Sequence, residues 1–341
     1  MKIAAAALLA ITIVLTSVVG FFFLRDNFVT HYPMKVLTAR AFRSAEIPWW
    51  NFNDVGGQPL AGNPNALTFY PDSFLYLVLP AHVAFNLHFL LHLVVAFFVM
   101  RALCRGSIFG ATLWGVSGIA ISSLCLYNLI PAIALVPLAL LGVERRSARL
   151  LGVAFGLMLL AAEPVALIGA AIAAAIVGAG RMPLRSVALA IVIAAVIGAP
   201  QLIAFAEVSG EIERIVPFSE KRVLGASLSP MRVLEVVLWP LKGFMVDAGN
   251  PNDRLFSTVF LGLIAIPAVF RRSRYAVAAA VLLFFALGEY NPVVRAIVSA
   301  MPSMRVMRYP EKFAIAMEVA LVVLAADFFD RTRQKKIWAA L

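Results

Sequence analysis

The chain has 341 residues, 62% of them hydrophobic and 14% charged, against about 45–50% and about 25% in ordinary soluble domains. With a mean hydropathy of +0.92, it can be neither a water-soluble enzyme nor a disordered chain, because a soluble fold of this size cannot hide so much apolar surface. The net charge of +11 would suggest nucleic acid in a soluble protein, but here the basic residues gather in short loops, where they set membrane topology.

A transmembrane helix needs roughly 20 apolar residues. The first run, Ile3 to Leu24, follows Lys2. It is long for a signal peptide and lacks an Ala-x-Ala site before Arg25, so it reads as a retained helix. Further apolar runs lie at 82–100, 107–127, 128–143, 150–162, 164–179, 184–206, 255–270, 275–288 and 312–329. The stretch from Leu150 to Gly180 reads as a hairpin broken at Glu163-Pro164, because proline disrupts a helix interior. One long helix is the alternative, and it would move every later loop to the other side.

With the hairpin the chain is expected to be all-α, a polytopic bundle of about ten spans, forming a single integral membrane domain over 1–341. With Lys2 inside, the inner loops hold Arg101 and Arg105; Arg145, Arg146 and Arg149; Arg181 and Arg185; Arg271, Arg272 and Arg274; and Arg331, Arg333, Lys335 and Lys336. Their acidic company is Glu144 and Asp330. Three outer segments, 25–81, 207–254 and 289–311, carry most of the acids together with Trp, Tyr, Pro and Asn. This asymmetry follows the positive-inside rule and sets the N-terminus inside. Ile337 to Leu341 read as the start of another apolar segment, so a fragment or a shortened family member is expected.

Cofactor chemistry has little to rest on. Cys104 and Cys125 form no CxxC pair, which argues against a disulfide framework and a zinc site. His88 and His92 share a helix face at a spacing that can bind metal, but Phe89, Leu90 and Leu91 lie between them and no acidic third ligand adjoins. Hydrogen bonding inside the bundle is the plainer role. GAGR at 178–181 is too short for a phosphate loop. No cofactor is expected, and no acidic cluster suggests a divalent metal.

The first outer segment is the most specific stretch. It holds Asp26, His31-Tyr32, Glu46-Ile47-Pro48-Trp49-Trp50-Asn51, Gly57-Gln58-Pro59, Asn63 and Tyr70-Pro71. Further on come Ser229-Pro230, Trp239-Pro240, Leu287-Gly288, Asn291-Pro292, Met301-Pro302 and Arg308-Tyr309-Pro310-Glu311-Lys312-Phe313. In order and spacing these motifs resemble the YfhO-like family of bacterial polytopic membrane proteins, over nearly the whole chain. That family is similar to the GT-C class of glycosyltransferases. The resemblance implies a GT-C-like fold in the bacterial cytoplasmic (inner) membrane with its active site on the outer face. The implied activity moves a sugar from a polyprenyl-phosphate-linked donor to an envelope polymer, lipid or protein acceptor. Membrane lipids are the other expected partner, and nucleic acid is not one.

The resemblance also assigns roles. Asp26, just after the first helix, would be the catalytic base, since the chemistry needs a carboxylate to take the acceptor's proton. A solvated Asp paired with Arg25 is the alternative, and Asp54 and Asp72 are weaker candidates. Arg305, Arg308 and Lys312 would hold the lipid phosphate, which needs cationic stabilisation as it leaves. Headgroup contact by snorkelling side chains is the alternative. Substrate contacts would come from His31, Tyr32, Trp49, Trp50, Asn51, Gln58, Asn63 and Tyr70. Glu163 and Glu318 are intramembrane carboxylates, which default to functional hypotheses; at the turn of a hairpin, however, Glu163 would simply be wet. A non-catalytic transporter or flippase for a lipid-linked saccharide, or a scaffold of an envelope-assembly complex, is the competing expectation. A transporter would show discontinuous helices and a charged path at the midplane.

Overall fold

A computed structural model describes residues 22, 24, 26–54, 56–211, 218–238, 254–270, 272–302, 305 and 307–340. Apart from Phe22 and Leu24, the expected first span lies outside them, as do Lys2, Arg25, Arg271 and Trp239-Pro240. The described chain is mostly helical, and among the described residues the one sheet is a pair of two-residue strands.

The segment that follows the first apolar run is more helical than its polar composition suggests. A π turn over Asn27–His31 runs into α1 (Tyr32–Arg43). There follow β1 (Trp50–Asn51) and β2 (Gln58–Pro59), paired antiparallel with Trp50 opposite Pro59, and a short α2 (Leu75–Val78). The bundle then begins with α3 (Ala81–Leu103), α4 (Ile108–Gly115), α5 (Gly118–Ser122) and α6 (Ile130–Glu144). It continues through α7 (Ala148–Leu160), α8 (Pro164–Gly178) and α9 (Leu184–Val208). After α10 (Glu220–Leu224), α11 (Pro230–Val233) and α12 (Ala265–Val269), it closes with α13 (Arg274–Ala286), α14 (Pro292–Ala300) and α15 (Phe313–Ala340).

α3 and α9 are long and apolar enough to cross a membrane, and α4 with α5 would make a third span if that bent pair is counted as one. Both long helices leave large apolar side chains uncovered, Leu91, Val95 and Phe98 on α3 and Ile191, Val192 and Val196 on α9. Water would penalise such stripes, whereas lipid accepts them. α6, α7, α8 and α13 are apolar but run only 13 to 15 residues, short of the roughly 20 needed to cross alone. α15 is 28 residues long and carries Glu318, Asp327 and Asp330.

The break at Glu163-Pro164 is a true reversal. A continuous helix over 148–178 would hold its ends about 45 Å apart at 1.5 Å per residue. Instead Glu144, just before α7, accepts from Arg181, just after α8, at 2.8 Å. Pro164 opens α8, and Ala162 sits in the left-handed region at φ 52°. α7 packs on α9 through Gly152 and Gly156, where a Cβ would lie 2.7 Å from the Ala190 carbonyl oxygen and 2.6 Å from Ile197 Cβ. Small residues four apart let membrane helices approach closely.

Two expected spans take other forms. The run 107–127 bends by 41° between α4 and α5, where Ser117 caps the next helix by accepting from Ala120 N. The run 255–270 is not a helical span, since only Ala265–Val269 is helical. Gly262 at φ 100° turns the chain, and Pro267 removes a donor. The backbone of this run bonds sideways instead. Gly118 N donates to Phe260 O at 2.7 Å, and Leu261 N and Gly262 N both donate to Val236 O at 2.9 Å. Leu255, Phe256, Val259 and Leu261 are buried, so hydropathy here reflects packing within the protein.

Candidate functional site: a charged cleft at one end of the bundle

The site starts from the turn between α7 and α8. Glu163 is the last residue before Pro164, and the reversal brings it inward: it is 5% exposed, not wet. Each carboxylate oxygen has a partner. Asn128 Nδ2 donates to Oε1 at 2.6 Å, and Lys312 Nζ donates to Oε2 at 2.5 Å. Asn128 Nδ2 also lies 3.4 Å from Asn65 Oδ1, and the Asn65 carbonyl lies 2.8 Å from His31 Nδ1. A carbonyl can only accept, so His31 Nδ1 carries the hydrogen, and Nε2 of the neutral ring is left as an acceptor. Burial pushes the His31 pKa down, and the Asn65 carbonyl and Asp26 recover only part of the loss, leaving it at about 4. The ring is therefore uncharged near neutrality.

These residues line one cleft of ≈ 160 Å³ together with Asp26, Arg308 and Tyr309. Asp26 is exposed at its edge, on the N-cap of the π turn. Arg308 lies over two rings: its guanidinium carbon is 5.1 Å from the Phe218 ring centroid and 4.9 Å from that of Tyr309. Among the described residues it makes no ion pair and no hydrogen bond, which leaves its edge donors available. Tyr309 is left-handed at φ 71°, a strained state for a bulky residue. It is held there because Tyr309 N donates to Val223 O and Glu311 N to Ala226 O, both at 3.1 Å. Behind it the buried Glu311 pairs with Arg232 and accepts from Leu255 N at 2.9 Å, and Arg232 Nη2 donates to Phe256 O at 2.8 Å. The buried pair thus ties the Arg308–Lys312 motif to the chain at 255–256.

Not all the expected residues meet here. Asp26, His31, Arg308 and Lys312 share the cleft. Trp49, Trp50 and Asn51 line a second cleft of ≈ 360 Å³, with Glu46, Asn53 and Leu60. Gln58 pairs opposite Asn51 and donates to Asp54. Asn63 caps the turn over Pro64–Ala66 by accepting from Asn65 N at 3.0 Å, so it acts on Asn65. Tyr32 packs edge-on to Phe85. Arg305 is committed elsewhere, at 2.9 Å from Glu220 and bonded to the Val298 and Ser299 carbonyls.

Tyr70 belongs to a buried knot beside α1 and α3. His92 Nδ1 donates to the His88 carbonyl at 2.6 Å, so Tyr70 Oη donates to His92 Nε2 at 2.7 Å. His88 faces Asp72 with one ring nitrogen and the Tyr127 carbonyl with the other. Burial pushes the Asp72 carboxyl up, but His88, Lys35 and His92 together hold it down at about 2. Lys35 donates to Leu67 O at 3.0 Å and Ser73 Oγ at 2.6 Å. Burial lowers its pKa to about 8, against the pull of Asp72.

Sequence reasoning missed Asn65 and Asn128 at the cleft and the burial of Glu163. Asn128 had a faint signal, as a polar residue between two apolar runs. Among the described residues no group of three or more His, Cys, Asp or Glu is placed to hold a metal ion. Comparison of the chain with protein-family models, curated proteins and solved structures finds no match.

Proposed function

We propose that the charged cleft binds the phosphate of a polyprenyl-phosphate-linked sugar and that the protein transfers this sugar to a cell-envelope acceptor, as a GT-C-like glycosyltransferase akin to the YfhO-like family. The carrying observation is Arg308, set against two rings, without a carboxylate partner among the described residues, and sharing a cleft with Asp26 and Lys312. In the proposed step Asp26 takes the proton of the acceptor hydroxyl. The hydroxyl oxygen bonds to the anomeric carbon as the bond from that carbon to the phosphate oxygen breaks. The electron pair leaves with the lipid phosphate, whose growing charge Arg308 meets through bidentate donors. His31 Nε2 offers a fixed acceptor to a sugar hydroxyl. No step calls for a metal or cofactor.

In this reading the chain is a polytopic protein of the bacterial cytoplasmic membrane, with its N-terminus inside and the cleft outside. The distribution of charge supports the orientation. Glu144, Arg181, Arg274 and Tyr275 gather at one end of the bundle, where Tyr275 Oη donates to Glu144 at 3.0 Å and Arg274 to the Ala179 carbonyl at 2.6 Å. The basic loops belong to this end, and the cleft to the opposite end of α7 and α8. The run 255–270 leads from the cleft, which Leu255 lines, to Arg274 at the basic end, so it joins the two ends without being one continuous helix.

The test is transfer from a panel of radiolabelled polyprenyl-phosphate sugars in membranes carrying the wild type or Asp26→Asn. Transfer by the wild type that Asp26→Asn abolishes, with equal insertion, is expected. Equal transfer by both would remove Asp26 from the mechanism.

Two observations favour transport of a lipid-linked saccharide as a second reading. The α4–α5 pair is broken, and Glu318 on α15 is a fully buried carboxylate beside that break, next to Ser117 and Ile119. Broken helices and intramembrane carboxylates mark transport sites. Glu318→Gln would abolish saccharide translocation in a transporter and leave glycosyl transfer intact in a transferase.

A further inference from the structure

Lys312 is not free in the resting cleft. Its ammonium lies 2.5 Å from Glu163, with the two side chains only 12% and 6% exposed. Among the described residues, an arriving phosphate therefore meets Arg308 without a carboxylate partner and Lys312 already neutralised. We propose that Glu163 is an internal counter-anion that the phosphate must displace: the ligand engages Arg308 first, and Lys312 then exchanges Glu163 for the phosphate. This inference deepens the proposed function and rests on the cleft being an anion site.

The geometry gives the exchange its direction. Arg308 lies over the Phe218 and Tyr309 rings and, among the described residues, has no carboxylate partner. Lys312 has a flexible four-carbon stem and three rotatable donors, so it can swing between two oxygens. Glu163 does not follow, because Asn128 holds its other oxygen at 2.6 Å and Pro164 fixes the backbone beside it. The arrangement also selects. Separating a nearly buried ion pair is costly, and the loss is offset only by an anion that bridges Arg308 and Lys312 together. A tetrahedral phosphate or sulfate has the charge and the spread of oxygens to do so. Chloride and simple carboxylates offer less, so Glu163 acts as a specificity determinant by holding Lys312 back.

Two measurements on the full chain in detergent micelles test the exchange, with sulfate as the probe because its charge is constant across about pH 5 to 9. The first compares sulfate binding by the wild type and Glu163→Gln. The variant keeps the shape and removes the competing charge, and it is expected to bind about tenfold more tightly. The second needs only the wild type. A water-soluble carbodiimide should join Glu163 to Lys312 by an amide bond, read by mass spectrometry, and saturating sulfate should suppress that cross-link. Equal or weaker sulfate binding by a folded Glu163→Gln, or a cross-link whose yield sulfate does not change, would overturn the exchange alone. Failure of both proteins to bind sulfate would overturn the anion-site reading and the exchange with it.

Discussion

At the scale of single residues, Arg308 and His31 make the sharpest claims. Arg308 lies over two aromatic rings, so its donors should carry phosphodiester recognition. Arg308→Ala is expected to weaken binding of a short-chain polyprenyl phosphate about 10- to 100-fold, and Arg308→Lys to recover only part of this, because an ammonium cannot bind bidentately. Titration in detergent reads both. His31 has its folded pKa depressed to about 4 by burial, against about 6.5 unfolded. As pH falls from about 6.5 to 4 the unfolded chain takes up a proton that the folded site refuses. Stability therefore drops over that window, by about 3 kcal/mol from this residue. Thermal unfolding against pH should show that slope in the wild type and lose much of it in His31→Gln. Asp72 works lower on the scale. Its folded pKa of about 2 gives stability that is complete above its unfolded value near 3.9 and is lost as pH falls toward 2. The family-like motifs singled out Asp26, Arg308 and Lys312, which the structure brings to one cleft. Asn65, Asn128 and the burial of Glu163 were not legible in the sequence, because contacts between residues 35 and 149 positions apart leave no local pattern.

At the scale of elements, the turns and close approaches decide the path of the chain. Ala162 adopts φ 52° between α7 and α8, where glycine would be unstrained; Ala162→Gly is expected to stabilise the protein by about 1 kcal/mol, read as a higher Tm. Gly118 shows the reverse: a Cβ there would lie 2.4 Å from Phe260 N. Gly118→Val should therefore cost about 2 kcal/mol or more by forcing α5 from the 258–262 chain, seen as a lower Tm. The hairpin at Glu163-Pro164 was readable, since proline is a local signal that needs no partner. The run 255–270 was not. A buried extended stretch and a buried helix present the same apolar composition, and only Gly262 and Pro267 hinted at the difference. The Gly152-x-x-x-Gly156 spacing was also in plain view, but which helix it packs against depends on the tertiary fold.

At the scale of the whole molecule, the structure has two chemically different ends. One gathers the Glu144–Arg181 pair with Arg274, and the other gathers the cleft. If the basic end faces the cytoplasm, an impermeant thiol reagent should label Asn53→Cys in intact cells and Arg145→Cys only after permeabilisation, in a background with Cys104 and Cys125 replaced. Labelling of both in intact cells would contradict that topology. Composition made the membrane character plain, but it could not count the spans, because several apolar helices stop short of a bilayer's thickness. We propose that a lipid phosphate docks in the Asp26–Arg308–Lys312 cleft. A photoreactive polyprenyl-phosphate analogue, cross-linked in native membranes and mapped by mass spectrometry, tests it most directly. Labelling should fall on peptides containing 26–31, 126–129, 162–165 and 307–312, and should fade when Arg308 is replaced by alanine. Labelling confined to the Trp49–Trp50 hairpin or to the opposite end of the bundle, unchanged by Arg308→Ala, would contradict it.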